Sequence, residues 1–96
     1  MIDRVHLQRL LAQEEARFRA EHSRSKALFD QAQQALLGGV PMTWMMKWAG
    51  RFPVFMQEAH GARITDVDGH DYIDFCLGDT GALPGHSPAA TAHAIA

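Results

Sequence analysis

Four aspartates crowd the stretch TDVDGHDYIDF at residues 65–75: Asp66, Asp68, Asp71 and Asp74, set around Gly69. Carboxylates this close suit calcium ligation, acid–base catalysis by a pair, or a turn between two strands. Position excludes the helix–loop–helix calcium site, which needs glycine at its sixth place and a bidentate Glu at its twelfth. With Gly69 sixth, the first ligand would be Ile64, the eighth place, normally apolar, would hold Asp71, and the twelfth would hold Phe75. For acid–base work, strand alternation puts Asp66 and Asp68 on one face, but that is the polar face of a hairpin. Solvated turn aspartates are the better reading.

The other chemical groups are as sparse. SRSK at 23–26 matches the serine-x-x-lysine of penicillin-recognising enzymes, but the companion motifs are absent; it reads as a helix start. Six histidines do not cluster, and His86 and His93 have no acid or thiol at ligand spacing. They read as surface or cap residues. Cys76 ends a strand with no partner base and reads as a small buried residue. GDTGALPG at 78–85 lacks both the phosphate-loop lysine and the dinucleotide spacing. No complete active site emerges from the residues themselves.

The elements that would position these groups follow from periodicity. Leu7, Leu10 and Leu11 share a helical face that Phe18 resumes, predicting a helix from about residue 2 to 21. Ser23 or Ser25 can cap a second helix carrying Leu28, Phe29, Ala32 and Leu36 on one face. Gly38 and Gly39 end it, with a glycine available for the left-handed cap. Residues 40–53, VPMTWMMKWAGRFP, have two Trp, three Met and no clean period. They read as an extended, partly buried arm. From Val54 three short runs predict an antiparallel meander, with Asp68-Gly69 as a type I′ turn. A glycine-rich loop follows, then a helix with Ser87 as N-cap and Pro88 at its first position. That helix stops in mid-pattern at Ala96, without a capping signal, which predicts a piece of something longer.

The fold class is therefore an α+β fragment: N-terminal helices, a small three-stranded antiparallel meander and the start of a further helix. The expected divisions are 1–37 for the helices, 38–53 for the apolar arm and 54–96 for the rest. At 96 residues and 47% hydrophobic, one small domain with a core is feasible. A net charge of −2 with no basic face argues against nucleic acid. No apolar run approaches a membrane span, and the acidic N-terminus is no signal peptide. One cysteine fits a reducing, cytoplasmic setting.

The linear order of these pieces is more specific than any one of them. Gly38-Gly39 after a helix is followed by GARI at 61–64, DVDG at 66–69, YIDF at 72–75 and GHSP at 85–88. From about residue 23 onward this resembles the N-terminal part of class III aminotransferases, in particular the glutamate-1-semialdehyde aminomutase-like branch. These are pyridoxal-phosphate (PLP) enzymes of fold type I. The resemblance implies that the aspartates are sheet and hairpin residues without a catalytic role. It implies a cofactor held by a Schiff-base lysine that neither Lys26 nor Lys47 matches, so no catalytic or cofactor-binding residue is expected in this chain.

Three pocket positions carry over. Met45 falls near the place where the aminomutase has an arginine for a substrate carboxylate, so carboxylate recognition from this arm does not carry over. Thr80 takes the place of a pocket Trp or Tyr, which implies a wider pocket. Asp79 beside it implies room for a cationic group. The implied parent is a cytoplasmic homodimer moving an amino group between an amine or amino acid donor and an oxo-acid acceptor. The competing expectation is a stand-alone, non-catalytic interaction module derived from this region.

Overall fold

The first helix begins where Asp3 turns its carboxylate back onto the chain. Its Oδ1 accepts from the N–H of Val5 and of His6, both at 3.0 Å, satisfying two of the donors that a helix start leaves open. This fixes the start of α1 (Arg4–Glu21) and leaves Ile2 outside it. In this computed structural model the described residues are 1–47 and 50–96. They divide into two units, Met1–Val54 and Phe55–Ala96.

In the first unit, α1 hands over to α2 (Ser23–Ala32) through one residue, His22, at φ −121° and ψ 42°. Neither Ser23 nor Ser25 is the cap, contrary to expectation. His22 takes that place because its N–H and its Nδ1 both reach Phe18 O, at 3.0 and 2.8 Å, finishing one helix as its own carbonyl receives Lys26 N–H of the next. Ser25 is instead fully buried within α2. The second helix also stops short of Leu36. Gln31 and Ala32 carbonyls are taken by the tighter turn bonds of Gln34 and Ala35, and Leu36 is extended at φ −120°.

Gly38 and Gly39 both lie in the left-handed region, at φ 68° and 74°, but in a separate 3₁₀ turn, Leu37–Gly39, rather than at the helix end. Gly39 meets a second demand. A Cβ there would stand 2.8 Å from the Phe29 ring and 2.9 Å from Gln33 Cγ. The chain passes directly over the end of α2, which only glycine permits.

The core of this unit is aromatic and small. Phe52 is buried against Phe18 and Phe29, with ring centroids 4.8 and 6.5 Å away, and His22 stacks on Phe18 at 4.4 Å. Val40 is buried nearby in sequence. Arg51 holds the returning chain to α1 through two bonds to Glu15, at 3.0 and 3.3 Å. The predicted apolar face of α1 does not enter this core: Leu7, Leu10 and Leu11 are all exposed, and only Phe18 of that face is half-buried. The apolar arm is not extended throughout either. Thr43–Met46 winds into a second 3₁₀ turn, with Met42, Trp44 and Met46 exposed. Trp48, the end of the expected arm, lies outside the described residues.

The second unit is the predicted meander. Strands β1 (Met56–His60), β2 (Arg63–Asp66) and β3 (Asp71–Ile73) pair antiparallel in the order β1-β2-β3. The register runs His60↔Arg63 to Met56↔Asp66 with an irregularity between Met56 and Glu58, then Ile64↔Tyr72. The β2–β3 turn is wider than a two-residue type I′ turn. Gly69 alone is left-handed, at φ 91°, and Asp66 N–H reaches His70 O at 3.0 Å. Last comes α3 (Ala89–Ile95). Its N-cap is Pro88, not Ser87, which sits at φ 49°.

Gly39→Ala combines a left-handed φ with a clash against a ring, so we expect it to cost about 2–3 kcal/mol. Gly69→Ala is left-handed but open, with nothing within 4 Å, and should cost about 1 kcal/mol. Urea unfolding of the two variants checks the order.

Candidate functional site

Two carboxylates organise the second unit, and neither is a solvated turn residue. Asp66 is fully buried. Its Oδ1 accepts from the N–H of Asp68 and of His70, both at 2.9 Å. Its Oδ2 accepts from Tyr72 Oη at 2.7 Å and His70 Nδ1 at 2.9 Å. A carboxylate only accepts, so His70 carries its proton on Nδ1. Burial by itself would push this carboxyl up. The N–H of His70, the Tyr72 hydroxyl and the His70 ring together outweigh it and hold it at about 2, below the ordinary 3.8. These donors give it a structural role, and this corrects the solvated reading. Asp66 precedes a histidine by four residues and a tyrosine by six, but Asp68 precedes the same two, so only the fold shows which carboxylate they reach. Asp71 has the milder role expected of it, accepting from Thr65 Oγ1 across the ladder at 2.7 Å.

Asp74 is half-buried and serves the loop at 76–85. Its Oδ1 accepts from Cys76 N–H at 2.9 Å and Leu77 N–H at 2.8 Å; its Oδ2 accepts from His86 Nε2 at 2.7 Å. The His86 ring first, and the N–H of Leu77 and Cys76 with it, hold the Asp74 carboxyl below its usual range. His86 is thus half-buried and engaged, not a surface residue, whereas His93 on α3 is exposed. Cys76 is also displaced from expectation. It is exposed, its thiol donating to Asp79 Oδ1 at 3.4 Å, because the chain leaves the sheet at Asp74 and the thiol points along the loop rather than into a core.

The predicted pocket residues fall in both units. Asp79 and Thr80 are adjacent and exposed on the 76–85 loop, Asp79 at φ 60°. Met45 belongs to the first unit. It is half-buried and lines a cleft of about 280 Å³ with Phe29, Gly38, Met46, Arg51 and Phe52. The two lysines are both exposed, and Lys26 is engaged by Asp30 one turn away at 2.6 Å. A PLP-holding lysine has to be buried and poised towards the ring. Neither exposed lysine fits that group.

No protein-family model matches the chain. Glutamate-1-semialdehyde 2,1-aminomutase of Sulfurihydrogenibium azorense is 42% identical over 74 residues, covering 75% of this chain and 17% of that protein. The crystal structure of a glutamate-1-semialdehyde-aminomutase from Pseudomonas aeruginosa PAO1 superposes with a TM-score of 0.84 at 41% identity. It covers 98% of this chain and 21% of that one. The same enzyme has been solved as a lysine-to-alanine variant in complex with PMP, at the same TM-score. A β-phenylalanine aminotransferase from Variovorax paradoxus gives 0.80 at 27% identity, over 92% of this chain and 20% of that one.

These helices, this meander and this sequence match part of glutamate-1-semialdehyde aminomutases and of a β-phenylalanine aminotransferase. The chain is similar in sequence and fold to glutamate-1-semialdehyde 2,1-aminomutases, and spans about a fifth of the length of those it matches. Among the described residues no helix is long and apolar enough to cross a membrane.

The depressed Asp66 carboxyl sets a pH dependence. Its contribution is complete above about pH 4 and is lost as pH falls towards about 2, because the unfolded chain takes up the proton first. Melting the chain from pH 6 to 2 should show this fall, with a flatter profile for Asp66→Asn. Asp66→Ala strands buried donors and should cost about 2–3 kcal/mol at pH 7.

Proposed function

We propose that this chain is the N-terminal portion of a class III aminotransferase. Its parent uses PLP to move an amino group between an amine or amino acid and an oxo acid. The observation that carries the reading is the match of nearly the whole chain, helices and meander together, to one aminomutase at substantial identity. In this reading residues 1–37 are the N-terminal helices, 38–53 an arm over the pocket, and 54–96 a small sheet with its loop and a further helix. The parent is a cytoplasmic homodimer.

PLP supplies an electron sink for bonds at the amine carbon. The lysine that holds it and the carboxylate that pairs with its ring belong to other parts of the parent, and this chain alone is inactive. What this chain contributes is shape and polarity at the pocket. Met45 offers a thioether where a cation would bind a carboxylate. Thr80 leaves space where an aromatic ring would fill it, and Asp79 offers a negative charge to an amine. Together these favour a bulkier or amine-bearing donor over a small dicarboxylate-like one.

The test begins with the coding sequence. Its extension should continue in frame into a domain with a cofactor lysine, and the extended protein should bind PLP and exchange amino groups with donors, while the 96-residue chain does neither. A monodisperse 96-residue chain that unfolds cooperatively, with no such domain in frame, would instead support the interaction module. In the extended protein, Met45→Arg should raise kcat/KM for carboxylate-bearing donors over uncharged ones by about tenfold or more, with Met45→Leu as the packing control. An unchanged ratio removes Met45 from the pocket.

A further inference from the structure

The loop at 76–85 has both its ends tied to one carboxylate. Asp74 Oδ1 takes the N–H of Cys76 and Leu77 where the loop leaves the sheet, and Asp74 Oδ2 takes His86 Nε2 where it returns. The backbone closes the same point a second time: Gly61 N–H donates to His86 O at 3.0 Å, and His86 N–H to Gly61 O at 2.8 Å. At Gly85, φ is 92° and a Cβ would stand 3.1 Å from Gly61 Cα, so the return strand approaches as closely as a chain can.

Between these ends the backbone is strained. Leu77, Gly78 and Asp79 lie at φ 52°, 60° and 60°, three left-handed residues in succession, two of them with side chains. Such conformations persist only where the surroundings over-determine them. Inside the loop the backbone bonds are local turns, such as Gly81 N–H to Gly78 O at 3.1 Å and Gly85 N–H to Ala82 O at 2.8 Å. Packing adds little, because Gly78, Asp79, Thr80, Gly81 and Leu83 are all exposed. The long-range constraint is the base of the loop.

We infer that Asp74 and His86 are a positioning pair, a clamp in which one carboxylate sets both ends of the 76–85 loop together. The strained segment, and with it the presentation of Asp79 and Thr80, depends on the contact between the carboxylate and the imidazole. Loss of the imidazole frees Oδ2, lets the carboxylate turn, and loosens its hold on Leu77 at the far end. The clamp stands on the geometry of this chain. Only its consequence for a substrate rests on the function proposed above.

Amide hydrogen exchange on the 96-residue chain tests it without any substrate. His86→Ala should speed exchange at Cys76 and Leu77, nine or ten residues away, by about tenfold, leaving the β1–β2 ladder unchanged. His86→Gln, whose amide can donate from the place of Nε2, should restore most of the protection. Asp74→Ala, which removes both acceptor oxygens, should loosen both ends and covers the case in which His86→Ala fails to fold. Faster exchange confined to Gly61 and His86 would mean that the two ends are independent, and a uniform rise across the sheet would mean general destabilisation; either overturns the clamp. A chain whose parent proves not to be an aminotransferase leaves these exchange rates untouched, so the two readings fail separately.

Discussion

A carboxylate removed from water must find donors for its lone pairs or give up its charge. Asp66 meets that demand with two backbone N–H groups, a tyrosine hydroxyl and an imidazole, and the second unit is arranged around them. The turn after β2 must curl back far enough to bring the N–H of His70 onto Oδ1. Its width follows from that need rather than from the Asp68-Gly69 pair. Strand β3 must then run in the register that sets Tyr72 opposite Ile64, which brings its hydroxyl to Oδ2. One buried charge thus selects the turn, the register and the tautomer of a histidine.

Asp74 repeats the device at the exit of the sheet, half-buried, with two N–H groups on one oxygen and an imidazole on the other. The two sites differ in what they organise. Asp66 closes a turn on itself, over a span of six residues. Asp74 joins chain positions twelve apart, so the segment between them becomes a loop with a fixed base and an exposed body. Loops of this kind carry function because a rigid scaffold presents them, and here the scaffold is three short strands.

Apolar burial contributes less than the composition suggests. Among the described residues the first unit has one cluster of aromatic rings around Phe52, while Leu7, Leu10 and Leu11 of α1 and Met42, Trp44 and Met46 are exposed. A small unit has little interior to offer. This suits a segment that accounts for about a fifth of the proteins it matches.

Much of this was legible in the chain itself. Alternation and glycine spacing were enough for three antiparallel strands in order, and leucine spacing for two helices, because these patterns are local consequences of backbone geometry. The ordered motifs from Gly38 to Pro88 were enough for the kinship. Spacing could not decide which aspartate is buried. Asp66 and Asp68 look alike in sequence, and only the folded turn aims four donors at the first of them. The caps at His22 and Pro88, in place of the serines expected there, were also decided late, by a helix junction shared through Phe18 O and by a left-handed Ser87. Local periodicity determined the elements; the need to satisfy buried polar groups, which only three dimensions can express, determined their ends and turns and the fate of each charged side chain.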